Sequence, residues 1–172
     1  ENATSIVVAD MNGDGKNDVV TAGRYPDGEF FVTVYENQDN FQFLDHKVYS
    51  LALGQTNAAS SATPISICDV NGDGRPDILT GLTVWESPAI IPPILLNNGG
   101  LAFSPQPTLT ANIINRLRGG KYIVSPKLVR CIDMNGDGTK ELGVLGAFNE
   151  FGLSGAQGQS LSSVAVLEAR SN

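Results

Sequence analysis

Three stretches of this chain place side-chain oxygens at alternate positions along a glycine-rich turn. They read DMNGDGKND at residues 10–18, DVNGDGRPD at 69–77 and DMNGDGTKE at 133–141. Positions 1, 3, 5 and 9 are Asp10, Asn12, Asp14 and Asp18 in the first, Asp69, Asn71, Asp73 and Asp77 in the second, and Asp133, Asn135, Asp137 and Glu141 in the third. The main-chain carbonyl of position 7, from Lys16, Arg75 and Thr139, is available as a further donor. Hard oxygen donors at this spacing curl around a hard cation, and the glycines at positions 4 and 6 let the backbone turn sharply enough to do so. Calcium is the expected occupant, at three sites: magnesium demands tighter octahedral geometry and keeps its waters, and zinc wants His or Cys ligands that these loops lack. An EF-hand is excluded, because position 12 holds Thr21, Thr80 and Val144 instead of a bidentate Glu and the flanks are β-branched. Asp, Asn and Gly also build ordinary solvated turns, but three copies in one register argue against so bland a reading.

The loops account for half of the chain's 18 acidic residues and for most of its formal charge of −7. A chain of that sign has no general attraction for a phosphate backbone, which argues against nucleic acid as a partner. The longest apolar candidate, AIIPPILL, is short and broken by Pro92 and Pro93, so membrane insertion is not expected. With 172 residues, 41% of them hydrophobic and 17% charged, the chain can bury a core as one folded unit. It begins at Glu1, with no charged and apolar leader ahead of it, as expected if a secretion signal is removed or lies outside this sequence.

The elements that position the loops repeat with them. The first aspartates are about 60 residues apart, and VYENQDNFQF at 34–43 matches ILLNNGGLAF at 94–103, pairing Asn37 with Asn97 and Phe43 with Phe103. Short runs rich in Val and Ile precede each loop (6–9, 65–68, 128–132) and follow it (19–21, 78–80, 142–145), so each loop reads as a hairpin connection. Third strands are expected at 30–36, 94–96 and 164–168, and fourth strands at 41–49 and 101–109; residues 111–120 could make one helical turn. Four antiparallel strands per repeat, with inner strands apolar on both faces, suit the blades of an all-β propeller. The expected blades are 1–59, 60–123 and 124–172 within a single segment, with the third incomplete. Three blades cannot close a ring, so the expectation is a piece of a larger propeller or closure by association with other copies of this chain.

The D-x-N-G-D-G-x-x-D hairpin between first and second strands resembles the FG-GAP and VCBS repeats of integrin α propellers and many secreted proteins. ELGVLGA after the third loop is similar to the end of that motif, and Phe151-Gly152 supplies a Phe-Gly pair, although Phe148 stands where the family has Pro. The resemblance implies a secreted or cell-surface, calcium-binding, non-catalytic module that serves adhesion or recognition of a glycan or protein ligand. It leaves two alternatives: part of a secreted carbohydrate-active enzyme such as a polysaccharide lyase, or a structural spacer of a surface protein.

Catalytic constellations are thin. His46 is the sole histidine, and Glu36, Glu86, Glu150 and Asp27 are isolated carboxylates. Trp85 and Tyr122 with a basic loop of Arg116, Arg118 and Lys121 could face a ligand, but a packed aromatic and a solvated loop are the simpler reading. Cys68 lies one residue before its loop and Cys131 two before, so on equivalent strands they point to opposite sheet faces. Such a pair either meets across one interface between neighbouring blades or turns away from it, and sequence alone leaves both open.

Overall fold

A computed structural model describes residues 2–26, 29–51, 65–80, 94–106, 121–136, 140–150 and 161–168. Eleven described strands form three antiparallel sheets, each wound in chain order. The first sheet is β1 (Asn2–Ala9), β2 (Asp18–Arg24), β3 (Phe30–Asn37) and β4 (Phe43–Leu51). The second is β5 (Ile65–Cys68), β6 (Asp77–Thr80), β7 (Ile94–Asn97) and β8 (Phe103–Gln106). In the third, β10 (Glu141–Glu150) lies between β9 (Lys121–Ile132) and β11 (Leu161–Glu168). These are propeller blades, two with four strands and one with three among the described residues. No described helix is long and apolar enough to cross a membrane.

Each acid-rich loop joins the first strand of its sheet to the second, as expected. Several strands run further than their apolar runs suggested. β9 starts at Lys121, well before residue 128, and passes Pro126 through a shift in register opposite Gly146, because a proline cannot supply a ladder N–H. Lys121 is therefore in a strand opposite Glu150, and Tyr122 lies opposite Asn149, so Lys121 does not belong to a basic loop. β4 begins at Phe43, two residues later than expected. Asp39, Asn40 and Phe41 all have positive φ, and that left-handed path makes them the turn from β3. Residues 111–120, Asp27, Trp85, Glu86, Arg116, Arg118, and residues 107–109 of the expected fourth strand lie outside the described residues.

The core lies between the first two sheets. Val20, Ala22, Phe30, Val32 and Val34 present one face of the first sheet, and Ile65, Ile78 and Leu95 present the facing side of the second, with Met11 closing the loop end. All are at most 1% exposed, and burying side chains of this size stabilises by roughly 1.5–3 kcal/mol each. The Ser5 hydroxyl accepts the Ile65 N–H across the interface at 3.2 Å. On its opposite face the second sheet buries Ser66, Cys68, Leu79 and Ile94. From this face Cys68 reaches Cys131 of β9 as a disulfide, with Cα atoms 5.8 Å apart. Of the two arrangements open to the cysteines, they face each other across one interface.

The disulfide closes a loop of about 63 residues, which in the chain-entropy picture stabilises by about 4 kcal/mol. The native chain is expected to show no thiol reactive to Ellman's reagent. Replacing both cysteines with Ala should lower the unfolding free energy measured by urea titration by about 4 kcal/mol; two titratable thiols in the unreduced protein would contradict the bond.

Candidate metal centre

The loops leave their first strands at Asp10, Asp69 and Asp133. Gly13 and Gly15 have φ of +82° and +84°, Gly72 and Gly74 of +76° and +82°, and Gly136 of +77°. A Cβ added at any of these five would meet nothing within 4 Å, so glycine is required by backbone conformation and not by crowding. The first two loops follow the same path in detail. Asp10 Oδ1 accepts the Gly13 N–H at 2.7 Å and its Oδ2 the Gly15 N–H at 2.8 Å. Asp69 accepts those of Gly72 and Gly74 at 2.7 and 2.8 Å. In the third loop Asp133 Oδ1 accepts the Gly136 N–H at 2.6 Å.

Positions 1 and 3 converge. The Asp14 N–H lies 3.2 Å from Asp10 Oδ1 and 3.0 Å from Asn12 Oδ1, so one donor is shared by the two oxygens. The Asp73 N–H is shared in the same way by Asp69 Oδ1 and Asn71 Oδ1, at 3.1 Å each. The position 5 carboxylates accept the position 7 N–H: Lys16 to Asp14 and Arg75 to Asp73, both at 2.9 Å. The position 7 side chains leave the loop for the turn after the third strand. Lys16 Nζ lies 2.9 Å from Asp39 Oδ2, and Arg75 Nε donates to the Asn97 carbonyl at 2.7 Å. Arg75 also pairs with Asp73.

Position 9 is different. Asp18 and Asp77 are completely buried. Asp18 Oδ2 accepts the Met11 N–H at 2.8 Å, and its Oδ1 the Asn37 N–H, at the end of β3, at 2.9 Å. Asp77 repeats this with Val70 and Asn97, at 2.9 and 2.8 Å. Each carboxylate thus fastens the start of its loop to the end of the third strand. Asn37 and Asn97 complete the joint, their Nδ2 groups donating at 3.1 Å to the carbonyls of Asn17 and Pro76. Asn97 Nδ2 also donates to the Met11 carbonyl of the neighbouring sheet at 2.8 Å. Sequence comparison of the repeats aligned these two asparagines but gave them no role; their similar spacing of 19 and 20 residues from the position 9 acids was the available signal.

Among the described residues no group of three His, Cys, Asp or Glu side chains is assembled as a cage. The donors brought together at the loop mouth are a carboxylate and an amide oxygen, while the position 9 acid is engaged beneath by two amides. Asp137 and Thr139 lie outside the described residues, and of Glu141 only the backbone, at the start of β10, is described. His46 Nε2 lies 2.9 Å from Glu36 Oε2, while Glu36 Oε1 accepts Asn12 Nδ2 at 3.2 Å, so Glu36 is not isolated but ties the first loop to β4.

The environment splits the carboxyl groups. Burial pushes the pKa of Asp77 up, the Asn97 and Val70 N–H groups oppose this, and the charges of Asp73 and Asp69 push it further up. Burial also acts upward on Asp10, but the N–H groups of Gly15, Gly13, Asp14 and Asn12 together outweigh it and hold that carboxyl below its ordinary value. Asp73 is lowered chiefly by the Arg75 N–H. Stability contributed by Asp10 and Asp73 is therefore present above the ordinary value of 3.8 and lost as pH falls through their lowered values; ionised Asp77 opposes the fold, and acidification through its raised value relieves that cost. Carboxyl-carbon NMR titration of the metal-free protein should find Asp77 protonating at higher pH than either Asp10 or Asp73. The reverse order would show that the carboxylates are not solvated and bonded as described.

An Asn at position 9 keeps one acceptor oxygen but turns an NH2 toward the second buried N–H. Asp18→Asn is expected to cost about 1–3 kcal/mol in metal-free buffer, whereas Asp14→Asn, on an exposed residue, should stay within about 0.5 kcal/mol. Urea unfolding in EGTA measures both, and equal midpoints would remove the structural role of Asp18.

Residues 10–80, spanning the first two loops and the strands between them, match the family model described as FG-GAP-like repeat. No curated protein matches the chain.

Proposed function

We propose, from the match of residues 10–80 to the family model of FG-GAP-like repeats, that this chain is a non-catalytic, calcium-stabilised propeller module acting outside the cell in adhesion or ligand recognition. The observation that carries the calcium reading is the convergence of the position 1 and position 3 oxygens on one shared N–H in two loops of identical path. Asp10, Asn12 and Asp14, with the carbonyl of Lys16, would hold the cation of the first loop, and Asp69, Asn71, Asp73 and the Arg75 carbonyl that of the second. Asp133, Asn135, Asp137 and the carbonyl of Thr139 would serve the third, with Asp18, Asp77 and Glu141 closing their loops from below. The cation would supply positive charge where like-charged carboxylates are crowded; burial is the main cause that raises the Asp77 pKa, and the charges of Asp73 and Asp69 add to it.

Calcium binding restricted to the folded chain adds about 2.7 kcal/mol per site at a hundredfold excess over the dissociation constant. The melting temperature should therefore rise with calcium and fall on addition of EGTA. By calorimetric titration Asp14→Ala and Asp73→Ala should weaken their own sites at least roughly tenfold, the loss of one charged ligand. Asp18→Ala and Asp77→Ala should cost more affinity at their sites than Glu141→Ala at its own, since a longer side chain at position 9 holds the ion less closely. A melting temperature indifferent to chelation sinks the calcium reading. A glycan array and a polysaccharide-degradation assay on the calcium-loaded chain test the recognition role: binding without turnover supports it, and turnover assigns the chain to a carbohydrate-active enzyme.

A further inference from the structure

The first two loops share a path but differ in the charges around it. In each, the position 3 amide and the cationic position 7 side chain are the donors nearest the position 5 carboxylate. In the first loop both are drawn away from it. Asn12 Nδ2 donates to Glu36 Oε1 at 3.2 Å, and Lys16 Nζ lies 2.9 Å from Asp39 Oδ2 but 3.7 Å from Asp14 Oδ2. His46 Nε2, 2.9 Å from Glu36 Oε2, holds the acceptor of the first of these bonds in place from β4.

The repeat alignment set by Asn37 and Asn97 puts Leu96 where the first sheet has Glu36, and Gly99 where it has Asp39. The second loop therefore lacks both acids. Its two donors turn inward onto one oxygen: Asn71 Nδ2 donates to Asp73 Oδ2 at 2.8 Å, and Arg75 Nη2 pairs with the same atom. The guanidinium is held at a second point, because its Nε donates to the Asn97 carbonyl at 2.7 Å. A fixed positive charge thus occupies the carboxylate oxygen that a metal ion would approach, and two-point attachment keeps it there.

We propose that Arg75 is a built-in competitor of the cation at the second loop, whereas Glu36 and Asp39 keep the first loop open by holding Asn12 and Lys16 off Asp14, so that the first loop fills before the second. The proposal rests on the calcium reading above and adds an order of filling to it. An ion entering the second loop must displace Nη2 from Asp73 Oδ2, and the strength of that pair is subtracted from the affinity. An exposed ion pair of this kind is worth a factor of about five at most. The two loops therefore respond over different ranges of calcium, although their ligand types are the same.

The amides of Gly15 and Gly74 follow each loop separately in an NMR titration of the 172-residue chain with calcium chloride, because each N–H is bonded to the position 1 carboxylate of its own loop. Gly15 is expected to complete its shift at roughly fivefold lower calcium than Gly74. Arg75→Gln should tighten the second loop about fivefold. Gly99→Asp supplies the missing acid at a turn position where Asp39 already adopts a φ of +75°, and the added Cβ would meet only Arg75 Cδ, at 4.0 Å. It should tighten the second loop by drawing Arg75 off Asp73, and Asp39→Asn should weaken the first by releasing Lys16 to Asp14.

Double-mutant cycles separate this from the general effect of adding or removing a charge. In an Arg75→Gln chain the gain from Gly99→Asp should largely vanish, as should the loss from Asp39→Asn in a Lys16→Gln chain. Loops that fill together, an Arg75→Gln chain no tighter at Gly74, or a Gly99→Asp gain undiminished by Arg75→Gln each overturn the proposal and leave the calcium reading in place. A chain in which neither glycine responds to calcium overturns both.

Discussion

A carboxylate buried beneath each of the first two acidic loops carries the hydrogen bonds on which its surroundings depend. Asp18 and Asp77 are removed from solvent, and such a group is tolerated only when its oxygens are bonded. Each takes one N–H from the loop start and one from the end of the third strand, so three strands are fastened at a single point. The rest of the loop follows. Its path above the buried acid is set by glycines with positive φ and by the position 1 carboxylate, which gathers the N–H groups that a sharp turn leaves without ladder partners.

The joints of the first two sheets are one network. Asp18 holds the Met11 N–H, the Met11 carbonyl holds Asn97 Nδ2, and the Asn97 N–H is held by Asp77. Met11 meanwhile puts its side chain into the apolar core, and Asn97 is 1% exposed. The path runs through buried groups, so a lost bond anywhere along it strands a donor or acceptor away from water. Between the second and third sheets a covalent bond stands where the first interface has packed side chains. Ala9 and Ile67 become Cys68 and Cys131 at the corresponding positions.

Sequence showed the loops, the order of strands around them and the propeller class because those features rest on local pattern: Gly at forced turns, β-branched runs, and a register that repeats. It showed that Cys68 and Cys131 point to opposite sheet faces, but whether they meet depends on which sheet faces which, a tertiary fact. Strand ends were less legible. β9 extends through Ser125 and Pro126, where composition argues for a break, because pairing with β10 and a register shift absorb the missing N–H. The site was read only in its outer half. Spacing alone makes Asp18 one oxygen donor among several, whereas burial sets it apart as the fastening point, and the partners that do so, Asn37 and Asn97, lie about 20 residues away.

The division of labour within the loop explains why acid, and not amide, is suited to position 9. An asparagine offers one acceptor, and the joint needs two, because donors arrive from two separate strands. At position 3 the requirement is reversed. Asn12 and Asn71 share their oxygen with position 1 on a single N–H, and their NH2 groups donate to a second carboxylate, Glu36 of β3 in one loop and Asp73 within the loop in the other. A carboxylate there would lose that donated bond and set another negative charge beside Asp10 or Asp69. The alternation of Asp and Asn along the loop therefore follows from which positions must accept twice and which must both accept and donate, and the converging oxygens at its mouth lie above that arrangement.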